Sequence, residues 1–225
     1  MFDDLSDLDQ VDISEIKNVD SGSGYKSNNN QQRSNNSKGN FFPKKEEVLE
    51  EPYVPITIFV DRDFPVEVKN SLYNIASKLI NKKITVRYNA DDKDFHERIS
   101  SLSEKYTEAF IPWKGFNEIQ SKHYWNTITS KHLAQQNFGN AWEKIPDGVK
   151  ALLARNIRLI FGDKNNSISM CVITWSQDGA CRASEVTKDT GRSSFIIKTA
   201  STYGFPVLNI AKESTGNVLE KTFGL

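Results

Sequence analysis

From residue 56 onward, short apolar runs alternate with stretches in which apolar residues recur at helical spacing. Ile56–Val60, "ITIFV", is a β-rich run bounded by a charged turn and Pro65, and it predicts the first strand. Pro65 suits a helix start, and Val68, Leu72, Ile75, Ala76, Leu79 and Ile80 follow on one face, predicting an amphipathic helix of about four turns. "ITVRY" (Ile84–Tyr88) is the next strand, a polar helix is expected near Asp92–Glu104, and "EAFIP" is strand three. A less regular aromatic stretch with Tyr124, Trp125, Phe138 and Trp142 comes next. Val149, Leu152, Leu153, Ile157, Ile160 and Phe161 then form the apolar face of a helix that Gly162 stops. "SISMCVITW" (Ser167–Trp175) is a nearly continuous apolar run, as in a strand covered on both faces. A helix over Arg192–Tyr203 and a last strand, "FPVLNIA", complete the pattern. Strands alternating with helices in this way predict an α/β fold: a Rossmann-like, mainly parallel sheet with helices on both faces.

Ahead of this domain, expected over residues 52–225, the pattern is different. Ser21–Asn40, "SGSGYKSNNNQQRSNNSKGN", buries too little apolar surface to offset the entropy of ordering, so residues 1–51 read as a disordered acidic, Asn-rich tail. Its first 16 residues alternate acids with Phe2, Leu5, Leu8, Val11, Ile13 and Ile16. That is either a solvated acidic tail or a short peptide that docks a protein partner.

The formal net charge of zero conceals an asymmetry. Residues 1–51 hold 11 acidic and 6 basic residues, leaving 23 basic and 18 acidic of the 29 of each for the domain. This mild basic bias is compatible with an anionic ligand. An acidic N-terminus without an apolar core does not read as a signal peptide, and no apolar run is long enough to span a bilayer. With Cys171 and Cys181 as the only cysteines, a reduced cytoplasmic protein with buried thiols is expected.

In an open parallel sheet, ligands bind beyond the carboxyl ends of the strands, which selects four loops: Asp61–Phe64, Asn89–Asp92, Pro112–Asn117 and Ser176–Ser194. "TGRSS" (Thr190–Ser194) opens a helix with a glycine, hydroxyls and an arginine, a composition suited either to a phosphate or to plain capping by Thr190. "AFIPWKGFN" (Ala109–Asn117) ends a strand with Trp113, Lys114 and Phe116, which suit either a stacking platform beside a cation or ordinary packing. Catalytic signals are sparse: His96, His123 and His132 stand apart, and no metal spacing, nucleophile elbow or phosphate-loop fingerprint is present. The residues favour binding over catalysis, with no metal or cofactor expected.

The ordered series from the first strand to "FPVLNI" resembles the SLOG superfamily, the Rossmann-like domain shared by DNA-processing protein A (DprA) and the "lonely guy" (LOG) proteins. The resemblance rests on "PWKGFN" (Pro112–Asn117), Arg155–Asn156, "TWSQDG" (Thr174–Gly179), "TGRSS" and "FPVLNI" (Phe205–Ile210), and covers roughly residues 55–211. Of the expected glycine-rich first loop only Arg62 matches. "RYNADDKDF" (Arg87–Phe95) stands where the family carries two consecutive glycines, and Arg192-Ser193-Ser194 replace Gly-Thr-Gly. The LOG hydrolase signature is missing.

What the resemblance implies is a DprA-like, noncatalytic protein of phage DNA replication or recombination that binds a nucleotide or single-stranded DNA in the host cytoplasm. The implied ligand residues are Arg62, Trp113, Lys114, Arg155, Asn156, Trp175, Asp178, Thr190, Gly191, Arg192, Ser193 and Ser194. The segment carrying Phe2, Leu5, Leu8, Val11 and Ile13 would dock a protein partner. Two alternatives stand beside it. One is a nucleotide-sensing or nucleotide-processing SLOG protein with Asp178 or Glu185 as acid/base; the other is a degenerate scaffold acting through protein contacts.

Overall fold

The computed structural model describes residues 54–163 and 167–225. The expected tail, residues 1–51, and its docking segment lie outside the described residues. Five strands form one sheet: β1 (Ile56–Ile58), β2 (Val86–Asn89), β3 (Thr107–Phe110), β4 (Val172–Thr174) and β5 (Val207–Asn209). Their order is β3-β2-β1-β4-β5 and every neighbouring pair is parallel. The chain winds outward from β1 to β3, then restarts on the other side of β1 with β4. The loops after β1 and β4 therefore diverge, which makes this junction the topological switch point of an α/β Rossmann-like sheet.

Six α-helices accompany the strands: α1 (Val66–Asn81), α2 (Lys93–Ser100), α3 (Ile128–Phe138), α4 (Asp147–Phe161), α5 (Ser194–Thr202) and α6 (Glu213–Phe223). The expected first and fourth of these appear at the predicted places, α1 starting directly after Pro65 and α4 ending at Gly162, whose φ of 77° a side chain would resist. Two helices were not legible. α3 carries its buried residues as a mixture of Ser130, Ala134, Asn137 and Phe138, so no apolar stripe marks it. α6 buries only Thr215 and Leu219. The polar helix after β2 is also shorter than expected, and only Val172–Thr174 of the long apolar run is strand.

Alternation along the strands shows which helices cover which face. Ile56 and Ile58 are fully buried within the main core, as are Leu72, Ala76 and Leu79 of α1. Thr57, between them, points the other way and donates its hydroxyl to Leu159 O of α4 at 2.6 Å. Tyr88 meets Phe95 and His96 of α2, whereas its neighbour Arg87 lies on the α4 side. A second core, with Phe138, Trp142, Leu153, Ile157 and Phe195, joins α3, α4 and α5.

The α4 face holds an unusual load of charge. Arg87 donates to Glu108 Oε2 at 2.8 Å and also bonds Ser167, and Arg158 donates its Nε to Asp163 at 2.9 Å. The His123 ring stacks on Phe110 at 4.5 Å, and the Arg158 guanidinium carbon lies 5.0 Å from the same ring's centre. His123 Nδ1 hydrogen-bonds Asp163, while its Nε2 is buried without a hydrogen bond, 4.0 Å from Glu108. Burial pushes the Asp163 pKa up, but the hydrogen bonds from His123 and Arg158, with the guanidinium charge, outweigh it and hold the carboxyl below its ordinary value.

A folded-state pKa below the unfolded one gives stability that is complete above the unfolded pKa and lost as pH falls through the folded one. Urea unfolding as a function of pH is therefore expected to show wild-type stability declining on acidification below the ordinary aspartate range. In Asp163→Asn, stability is lower at neutral pH and that part of the acid slope is reduced. An unchanged slope would remove Asp163 from the account.

Candidate functional site

The loops at the carboxyl edge are tied to one another and to α1 and α4 by side chains. After β1, the amide of Val60 donates to Asn89 Oδ1 at 2.7 Å, and Asn89 Nδ2 donates back to Val60 O at 2.6 Å. After β2, Asp91 receives both guanidinium nitrogens of Arg155, at 2.7 and 2.8 Å. Asp92 caps α2 by accepting from Phe95 N at 2.7 Å, and it also receives Lys69 Nζ at 2.5 Å. Asn89, Asp91 and Asp92, which stand where the resemblance expects glycines, thus each hold a neighbouring element.

The "PWKGFN" turn follows β3. Gly115 takes a left-handed φ of 76°, and Asn117 and Glu118 follow at 53° and 64°, a conformation that non-glycine residues adopt at a cost. Asn117 Nδ2 holds the turn to the β2 loop by donating to Asp91 O at 3.0 Å. Trp113 meets Phe116 edge-on at 5.0 Å; Phe116 is half-buried, whereas Lys114 is exposed. An open groove of about 330 Å³ lies here, lined by Asp91, Lys93, Asn117 and Glu118.

The switch point itself brings the β1 loop against the turn before α5. Arg192 places Nη2 2.9 Å from Asp63 Oδ2 and Nη1 3.5 Å from Asp61 Oδ1. Burial raises the Asp61 pKa, with the nearby Asp91 and Asp63 charges acting the same way, against the opposing Asp63 amide and Arg192. Arg62, between the two aspartates, is exposed. Trp175 packs edge-on against Phe64 at 5.3 Å, so this indole is half-buried rather than open.

The long loop after β4 is organised by Asp178. Its carboxylate accepts from Ser176 Oγ (2.7 Å), Ala180 N (3.1 Å), Thr187 Oγ1 (2.8 Å) and Thr190 Oγ1 (2.5 Å). Burial raises the Asp178 pKa, and these donors outweigh it, leaving the group below its ordinary value. Thr190 also receives Thr187 N, closing a capping box one turn earlier than a Thr190 cap would. Gly191 supplies the left-handed φ of 59° at the kink. Ser193 donates to Trp175 O at 2.7 Å, and Ser194 opens α5 and is buried.

The structure therefore brings Arg62, Trp175, Asp178, Thr190, Gly191, Arg192, Ser193 and Ser194 to the switch point. Trp113 and Lys114 stand at the β3 end of the same edge. Arg155, 1% exposed, and Asn156, whose Oδ1 accepts from Arg155 Nε at 2.9 Å, sit beneath the β2 loop. Sequence reasoning missed Asp61 and Asp63 as partners of Arg192; their position flanking Arg62 in "VDRDF" is the one signal that pointed there. Chemically the edge offers a cation in replaceable contacts and carboxylates already engaged. Glu185 is one of these: it accepts from Cys181 N and from Lys212, which lower its pKa. No group of three or more metal-ligating side chains occurs among the described residues. No described helix is long and apolar enough to cross a membrane.

Removing Arg155 leaves the half-buried Asp91 beside Asp61 without its cation. Arg155→Ala is expected to cost about 3–5 kcal/mol in chemical denaturation, and Asp91→Asn in the Arg155→Ala background is expected to recover part of it. A loss under about 1 kcal/mol would show that the pair does not hold the loop.

Comparison with known proteins returns no matching family model, no similar curated sequence and no similar solved structure.

Proposed function

We propose that the protein is a noncatalytic binder of a phosphate-bearing ligand, a nucleotide or single-stranded DNA, held at the carboxyl edge of the sheet. The reading includes the sequence resemblance to DprA-like SLOG proteins and a role in phage DNA replication or recombination in the host cytoplasm. The observation that carries it is the position of Arg192, which reaches across the switch point in front of α5 with its guanidinium only loosely committed.

Asp63 is largely exposed, and an exposed ion pair is worth about 0–1 kcal/mol, whereas a hydrogen bond to a charged group contributes about 1.5–3 kcal/mol. A phosphate that accepts two guanidinium N–H bonds wins that exchange. The positive end of α5, which Ser193 does not cap with its side chain, favours the same charge. Lys114 and Trp113 extend the surface along the edge as cation and stacking face, and Arg62 adds a second exposed cation. Arg155, Asn156, Asp178, Thr190 and Ser193 frame the site from beneath. The engagement of Asp178 by four donors is what favours binding over acid/base chemistry.

A second reading, a scaffold acting through protein contacts, is favoured by one specific observation: Arg155, the family's helical arginine, is sealed against Asp91.

Fluorescence anisotropy with a labelled oligothymidylate across a salt series separates them. The expected result is binding that weakens steeply with salt. Arg192→Ala should reduce affinity about tenfold, and Lys114→Ala should lower the salt slope by about one. Thermal stabilisation by a mononucleotide without strand binding would transfer the site to the nucleotide-sensing reading. Neither response would leave the scaffold.

A further inference from the structure

Beside the "PWKGFN" turn, the edge carries an apolar surface of which the ligand reading uses only Trp113. Trp125 is 53% exposed and Ile128, the first residue of α3, is 89% exposed. Trp113, 36% exposed, stands in the adjoining turn, which Asn126 Nδ2 fastens to the segment before α3 by donating to Pro112 O at 3.2 Å. Tyr124 supports Trp125 edge-on at 5.2 Å. Large apolar side chains clustered this openly mark an interaction surface more often than solvent-facing packing.

The charged residues nearest these three apolar side chains in sequence are lysines. Lys114 follows Trp113, Lys122 precedes Trp125 by three residues, and Lys131 lies one helical turn beyond Ile128. All three are exposed, and none forms an ion pair among the described residues. Nearby Glu118 is already paired with Lys93 at 2.7 Å. A fitting occupant combines spaced apolar side chains with acidic residues between them.

The chain supplies such a segment. In "MFDDLSDLD", Phe2, Leu5 and Leu8 recur every third residue with Asp3, Asp4 and Asp7 between them and Asp9 after. Residues 10–53, which join it to the domain, can extend to roughly 145 Å at about 3.3 Å per residue, several times the radius of a domain of this size. Tethering raises the local concentration of the segment to about the millimolar range, so a weak peptide–surface affinity suffices for occupancy.

We propose that the acidic segment Met1–Asp9 docks on the Trp113–Trp125–Ile128 surface of its own chain, its leucines and Phe2 against the indoles and its aspartates facing Lys114, Lys122 and Lys131. This inference does not rest on the ligand reading, although Trp113 and Lys114 belong to both.

The test uses the full chain without ligand. Amide hydrogen exchange across residues 113–131 is compared between wild type and Leu5→Asp/Leu8→Asp, which leaves every residue of the domain intact. If about nine-tenths of molecules are docked, the variant exchanges roughly tenfold faster in this stretch while the core strands are unchanged. Added salt moves the wild type in the same direction. Trp125→Ala should abolish the difference between the two tails. Equal exchange in wild type and tail variant overturns the proposal. Protection that grows with protein concentration also overturns it, by assigning the surface to a second copy.

Discussion

Three guanidinium groups are enclosed beneath α4, and a buried charge of this kind is tolerable only when a carboxylate meets it. Arg87 has Glu108, Arg155 has Asp91 and Arg158 has Asp163. Much of the molecule's arrangement follows from these three pairings. Arg155 and Arg158 are three apart on α4, so one face of that helix presents both to the sheet. The Asp91 pair fixes the β2 loop, the Glu108 pair joins β2 to β3, and the Asp163 pair holds the segment of His123 against Phe110. What would otherwise be an apolar helix–sheet interface is a polar layer with fixed partners, and the carboxyl edge is built on top of it.

That layer changes the meaning of the departures from the glycine-rich pattern. Residues 89–92 carry aspartates where close approach of a phosphate would call for bare backbone. Seen as isolated charges they repel an anion. Paired with Arg155 and Lys69 they are largely neutralised, and they serve as struts between neighbouring loops. The consequence is a division of labour: the β2 end of the edge is committed to structure, while the switch point keeps an arginine whose partners are exposed or distant.

The fold class was legible because strands buried on both faces leave continuous apolar runs and because α1 and α4 carry full apolar stripes. α3 escaped because Ser130 and Asn137 are among its buried residues, which erases the helical period; α6 escaped because it buries little. The carboxyl-edge loops were legible from topology alone. The partners within them were not. Spacing in sequence does not disclose that Asp91 and Arg155, 64 positions apart, form a bidentate pair, or that Asp61 and Asp63 receive Arg192. Asp178 looked like a candidate acid because a sequence shows a carboxylate without its donors; the four hydrogen bonds appear only once the loop folds back on it.

The central claim is that Arg192 exchanges Asp61 and Asp63 for a ligand phosphate while Arg155 keeps Asp91. The most direct measurement follows the side-chain Nε–H resonances of both arginines by two-dimensional NMR as an oligothymidylate is added. The account predicts that Arg192 Nε–H and the amides of residues 61–64 and 191–194 shift together and saturably, with Arg155 Nε–H unmoved. A binding isotherm in which Arg192 stays in place, or in which Arg155 moves instead, would contradict it.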